Sequence, residues 1–434
     1  MKILHVSNTD VAGGRFTGYY MHERFVQGDC AEMAVWNRAS RAEHVNLIPP
    51  LNSALRACAR TALQIDAKLG LDGLSGTGGW LLQSQEYLAR ADVVHLHLIH
   101  NNANISLLSL PSLSRRKPLI WTLHDPWALT GGCEHSFECE RWLDGCAPMC
   151  PHPRRRSLLR RSWPWLQWRV KREVYRRSDI TLIAASEWMK ERIGRSPLVR
   201  HLPCHLIPFG VDLSAFSPLP KGECRRQFGI PEGHQVIAFR DVGLRTDRYK
   251  GMRYLFQALC EYQPRVPTCL LALEDGQSFA ELAGKYTVLR PGWIDGQRLA
   301  SALSAADVFA MPSVQESFGL MAVEAMACGT PVVVFEGTAL PGIIRAPEGG
   351  IAVPTRDATA LLGGLVKLLD DDDLRISMGN SARELAEREY SLAQYIERHR
   401  ALYAAVLERR ARRSDREVRG GRGSGGSATA FPAM

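Results

Sequence analysis

A chain of 434 residues, 45% hydrophobic and 23% charged, has the composition of a folded globular protein, which excludes a fibrous repeat or disorder throughout; its length suits two domains that each bury a core. The formal net charge of +9 is concentrated, since Arg154 to Arg177 contain ten Lys/Arg against the single acid Glu173. No stretch holds the roughly 18 uninterrupted apolar residues that cross a bilayer, and the apolar run of Met1–Asn8, broken by His5 and Asn8, is too brief for a signal-peptide core, so a cytoplasmic protein is expected.

In chain order, an apolar strand to Val6, a turn at Gly13-Gly14 and a helix from Tyr19 to Gln27 open an α/β domain. Short apolar runs at Asp92–Leu98, Pro118–His124 and Asp179–Ser186 read as strands buried on both faces. Each ends in polar residues at its carboxyl end, where open parallel sheets bind ligands. The chain turns repeatedly from Ile207 to Pro220 before strands resume at Gln235–Phe239, Thr268–Leu273, Asp307–Met311 and Thr330–Phe335, followed by a helix at Asp357–Asp370. The expected fold class is therefore α/β, with two doubly wound Rossmann-like domains at residues 1–207 and 208–390. A last amphipathic helix, Ser391 to Arg413, carries Leu402, Val406 and Leu407 on one face and is expected to pack back on the first domain. Residues 414–434, rich in Gly, Ser and Arg, read as a disordered tail.

The chemistry is densest from Glu316 to Val334. Ser317, Phe318 and Gly319 stand where a loop becomes a helix, so first-turn N–H groups and the helix dipole make a site for a diphosphate. Glu324, eight residues after Glu316, is expected about two turns on along the same face, within reach of a ribose. Two acids so spaced would ordinarily be a solvated helix face. The surrounding run, Ala306-Asp-Val-Phe-Ala-Met-Pro-Ser, then Glu316-Ser-Phe-Gly, then Glu324 and Ala327-Cys-Gly-Thr-Pro-Val-Val, resembles the donor-site signature of glycosyltransferase family 4.

That resemblance runs from the Gly13-Gly14 loop to the last helix, weakening between Asn37 and Arg90. It implies a GT-B fold with two domains facing across a cleft: the second holds a nucleotide sugar, the first holds the acceptor, and transfer retains the anomeric configuration. It also implies that no divalent metal or other cofactor is required, because basic side chains and amides neutralise the leaving diphosphate. By the same resemblance Glu316 orients the transferred sugar and Glu324 binds the ribose. Lys250 clamps the diphosphate together with Arg240 or Arg245. His124, after a buried strand, reaches the donor sugar, and Gly13-Gly14 lets backbone approach the donor phosphate. The nucleotide, uridine or guanosine diphosphate, stays open.

Four cysteines, Cys133, Cys139, Cys146 and Cys150, crowd one loop. In a cytoplasmic protein that suggests structural zinc; redox-labile or disulfide pairing and free thiols are the alternatives. The stretch from His124 through this loop resembles an exopolysaccharide or capsule branch of the family, implying a glycan or lipid-linked acceptor in polysaccharide biosynthesis. His95 and His97 alternate onto one strand face, with His100 beyond, and read as packed near or lining an acceptor cleft rather than holding metal. Residues 154–177, with Trp163, Trp165 and Trp168 among the arginines, suggest peripheral contact with an anionic membrane surface, the alternative being tryptophans in the domain core. Motifs of RNA- or DNA-binding modules are absent. A GT-B nucleotide-sugar 2-epimerase and a catalytically degenerate assembly subunit are the competing functions.

Overall fold

The computed structural model describes residues 1–11, 18–26, 30–69, 71, 73–100, 103–146, 148–150, 158–243, 249–274, 276 and 278–421. Two sheets organise it. The first takes its strands from β1 (Lys2–Thr9), β2 (Cys30–Asn37), β3 (Val45–Leu47), β4 (Val93–Leu96), β5 (Leu119–Leu123), β6 (Ile180–Ala184) and β7 (Cys204–Leu206), in the order β3-β2-β1-β4-β5-β6-β7. The second uses β8 (Gln235–Arg240), β9 (Thr268–Leu273), β10 (Thr287–Leu289), β11 (Val308–Met311), β12 (Val332–Phe335) and β13 (Gly350–Val353), in the order β10-β9-β8-β11-β12-β13.

Every pairing in the second sheet is parallel. Its strands are continuous apolar runs, such as the fully buried Thr268–Leu273, because helices cover both faces and leave no solvated side to pattern. In the second sheet Phe239, Leu255, Leu270, Phe279, Val333, Phe335 and Leu365 form one buried cluster. Asp357 caps the helix Ala358–Asp370 by accepting from the Ala360 N–H at 2.8 Å, which ends the preceding loop where the sequence placed the helix start.

By packing, the chain divides into two compact units. One comprises residues 1–121, 173–182 and the final helix from Glu397; the other comprises 122–172 and 183–396. The expected boundary at 207/208 lies between β7 and β8 and so separates the two sheets. Packing groups residues 122–172 and 183–207, β7 among them, with the second sheet, through the contacts described below. The final helix belongs to the first unit, where Arg413 Nη1 lies 2.6 Å from Asp179 Oδ2 and Arg409 Nη2 donates to Thr181 Oγ1 at 2.8 Å. It runs from Leu392 to Gly421, so residues 414–421, expected in the tail, are helical. Arg416, Glu417 and Arg419 are good helix formers and continue the turn until Gly420-Gly421; residues 422–434 lie outside those described.

Candidate active site

Strand order in the second sheet reverses between β8 and β11, which makes their carboxyl ends the natural crevice for a ligand. The segment after β8 returns through Tyr249-Lys250-Gly251, and the segment after β11 runs through Pro312 to Gly319. The two are locked together. The Val314 N–H donates to the Tyr249 carbonyl at 2.8 Å, and Gly251, at φ 75°, sits so close to Pro312 that a Cβ would lie 1.8 Å from its carbonyl oxygen. Only glycine tolerates both that approach and that φ. The result is a 2.7 Å ion pair between Lys250 Nζ and Glu316 Oε2, with side chains 20% and 17% exposed.

Ser317, Phe318 and Gly319 lead into the helix Leu320–Ala327, whose N-cap is Gly319 at φ 95°. No side chain caps it, so its first-turn amides face this segment. Glu324 lies inside the helix and is 1% exposed, whereas Glu316 precedes the helix. The two acids therefore do not share one helix face as their spacing suggested. Glu316 is a loop residue held by Lys250, and Glu324 is a buried helical one.

Residues from the first half of the sequence join this site within the second unit. His124, at the end of β5, stacks on Phe209 with ring centroids 5.4 Å apart and planes 11° apart, and Phe209 meets Phe318 edge-on at 4.9 Å. Ser186 Oγ donates to the Ser317 carbonyl at 2.7 Å. Asp125 accepts from the Trp127 N–H at 2.8 Å and caps the short turn Pro126–Leu129. Beneath that turn Lys171, fully buried, donates to the Trp127 and Thr130 carbonyls and lies 3.6 Å from the Trp127 ring centroid. No local pattern marks this lysine as structural.

Arg240, one of two candidates for the diphosphate clamp, pairs with Glu274, a residue at φ 76° after β9. Arg245, Gly13 and Gly14 lie outside the described residues. The cysteine loop does reach the site, but through other residues. The Phe137 N–H donates to Gln315 Oε1 at 3.0 Å, the His135 ring lies 4.3 Å from that of Tyr249, Arg192 donates to Ser136 Oγ at 3.1 Å, and Arg356 pairs with Glu138. Phe209, His135 and Gln315 escaped the sequence reading because their partners are distant in the chain, 178 residues away for Phe137 and Gln315.

None of the four loop cysteines is in a disulfide among the described residues. Cys146 Sγ accepts from the Gly131 N–H at 3.2 Å, and burial pushes the Cys146 thiol up to about 11. Among the described residues the one group of three or more possible ligands whose donor atoms lie within 4.8 Å of one another is His5, His95 and His97. The four cysteines thus do not fit the structural zinc expected of them. His95 and His97, 0% and 1% exposed, are packed inside the first unit and line no open surface. The basic segment is likewise partly interior. The helix Leu158–Arg176 buries Gln167, Trp168 and Lys171, and Trp168 Nε1 donates to the Trp142 carbonyl at 2.9 Å, while Arg169, Arg172, Arg176 and Arg177 are exposed. Residues 151–157, with Arg154, Arg155 and Arg156, lie outside the described set.

Two parallel sheets of doubly wound type, with the site at the switch point of the second, define a GT-B protein. Solved structures agree. Sucrose-phosphate synthase from Thermosynechococcus elongatus superposes with a TM-score of 0.66 at 20% identity, covering 94% of this chain and 99% of that one. HepE from Anabaena, solved with UDP and glucose, gives 0.64 at 18% identity, covering 93% and 99%. Residues 69–215 match the family described as Glycosyltransferase Family 4, and residues 241–371 match Glycosyl transferases group 1; together they place the chain among the family 4 glycosyltransferases. Relatives include a D-inositol 3-phosphate glycosyltransferase from Corynebacterium jeikeium, 37% identical over 199 residues (41% of this chain, 46% of the relative). Another is a phosphatidyl-myo-inositol mannosyltransferase from Mycolicibacterium smegmatis, 31% identical over 212 residues (47% and 51%). The chain spans about half the length of the curated relatives it matches, and these relatives do not single out an exopolysaccharide branch. Among the described residues no helix is long and apolar enough to cross a membrane.

Proposed function

We propose that the chain is a retaining glycosyltransferase that moves a sugar from a uridine or guanosine diphosphate sugar to a glycan or lipid-linked acceptor in polysaccharide biosynthesis. The observation that supports this most is the Lys250–Glu316 pair at 2.7 Å, set at the sheet's switch point beside the uncapped helix that follows Gly319. A diphosphate entering there would take over Lys250 and the first-turn amides, and Glu316, released from the lysine, would accept hydroxyl hydrogen bonds from the sugar. Glu324 takes the ribose. The bond from the anomeric carbon to the diphosphate breaks with its electron pair leaving on phosphate oxygen. The acceptor oxygen forms the new bond on the same face and passes its proton to that phosphate. Charge on the leaving group is met by Lys250 and by backbone amides already in place, so little reorganisation accompanies the step. His124, held in the ring stack, faces the transferred sugar. Residues 1–207 supply the acceptor side and 208–390 the donor side.

The acceptors printed in the relatives' names, an inositol phosphate and a phosphatidylinositol, favour a second reading of the acceptor as a phosphorylated polyol. The test is incubation of purified chain with UDP- and GDP-sugars, alone and with each acceptor class. Slow release of free sugar without acceptor, and a new glycoside with one, are expected. A new nucleotide sugar would identify an epimerase instead, and no turnover would identify a non-catalytic subunit. Thermal shift with UDP and GDP separates the nucleotides, since ligand at 100 times its Kd adds about 2.7 kcal/mol.

A further inference from the structure

The first sheet reverses strand order between β1 and β4, and there His5 stands opposite His95 in parallel register. His97, two residues on, projects from the same face. The three rings are 0%, 0% and 1% exposed, and one nitrogen from each lies within 4.8 Å of the others. His5 Nδ1 and His97 Nε2 are 3.2 Å apart, close to the ~3.3 Å between two nitrogens held at about 2.0–2.1 Å from one tetrahedral zinc ion.

The surroundings prepare the third ligand. Tyr403, on the final helix, has its hydroxyl 2.7 Å from His95 Nδ1 and 4.0 Å from Met21 Sδ. With its proton directed to the sulfur, the oxygen accepts from His95 Nδ1–H, which leaves the lone pair on His95 Nε2. A second partner fixing the tautomer in this way is the usual support of a metal-bound imidazole. Beside His97, Gly18 leaves a space that a Cβ would fill, 2.4 Å from Nε2.

We propose that His5, His95 and His97 bind one divalent transition-metal ion, with zinc the best match to three neutral imidazoles, and that a water or hydroxide completes the site. The ion ties β1 to β4 and, through Tyr403, holds the final helix to the first unit. The site is separate from the Lys250–Glu316 pair and independent of the transferase reading.

Full-length protein made without a polyhistidine tag, stripped with chelator and titrated with cobalt(II), tests this. About one cobalt per chain is expected, with the visible d–d absorption of a tetrahedral ion and no thiolate charge transfer. The spectrum should persist when Cys133, Cys139, Cys146 and Cys150 are all changed to Ser. His97→Gln should abolish it, and Tyr403→Phe, which removes only the supporting hydroxyl, should weaken affinity about 10- to 100-fold in a chain that circular dichroism shows to be folded. Failure of folded wild-type protein to bind cobalt overturns the proposal. So do a thiolate band lost with the cysteines and an affinity that neither His97→Gln nor Tyr403→Phe lowers.

Discussion

Lys250 and Glu316 hold each other at 2.7 Å, and Glu324 is buried at 1% exposure inside the adjoining helix, so the two glutamates should fail differently. Interactions made in the transition state show in kcat, and uniform binding shows in KM. Glu316→Gln should lower kcat strongly and leave affinity for free nucleoside diphosphate nearly intact. Glu324→Gln should mainly raise donor KM, with nucleotide affinity falling by about 1–3 kcal/mol. Lys250→Ala should harm both. Steady-state kinetics with titration calorimetry checks all three, and full turnover by Glu316→Gln at saturating donor and acceptor removes the assignment. Glu316 and Glu324 were legible because short motifs carry them; the pairing of Arg240 with Glu274 was not, since 34 residues separate them and the contact exists only once β8 and β9 lie side by side.

At the level of elements, the site depends on two supports. Gly251 lets the lysine-bearing segment press on Pro312, where a Cβ would come within 1.8 Å of a carbonyl oxygen. Gly251→Ala should push Lys250 away from Glu316, with donor KM rising at least about tenfold, since displacing a positioned group by even 1 Å is costly. The helix Leu158–Arg176 supplies the other support through buried Lys171, which satisfies two carbonyls of the turn after His124. Lys171→Met leaves those carbonyls buried without their donor, so stability should fall by about 1–3 kcal/mol in urea unfolding, with a loss of kcat beyond the stability effect as His124 loses its platform. From sequence this helix read as a basic, aromatic membrane element. Its tryptophan and lysine side chains could be placed inside only by knowing which face meets Trp127 and Trp142.

For the whole molecule, burial sets the alkaline limit. Cys269 and Cys328 are both pushed up from 9.0 to about 12, chiefly by desolvation. The raised folded value means that these thiols stabilise the fold fully below pH 9, where both states keep the proton. The contribution is lost as pH rises from 9 towards 12, because the unfolded chain releases the proton first. Each thiol adds a slope of up to about 1.4 kcal/mol per pH unit in that window. Denaturant unfolding at successive pH values should show Cys328→Ala with a flatter alkaline decline than wild type, and parallel curves would refute the effect. The exposed Arg169, Arg172, Arg176 and Arg177 form the outward part of the basic segment. If they meet a membrane, the protein should sediment with anionic vesicles, be released by salt and lose this binding when all four become Gln. Equal binding to neutral vesicles removes that reading.

Local pattern was enough, by itself, for the strand–helix alternation, the strand Thr268–Leu273 to the residue, the helix placed at Asp357–Asp370 and the Glu316-to-Val334 signature, because each rests on residues within a few positions of one another. Only the tertiary structure decided that His5 meets His95 and His97 across 90 or more residues, that the cysteine loop approaches Tyr249 and Gln315 with its histidine and backbone rather than its thiols, and that Glu316 pairs with Lys250 instead of sharing a face with Glu324. Such contacts depend on strand order and on close packing between distant segments. Periodicity reports which face of an element is buried but not what it is buried against.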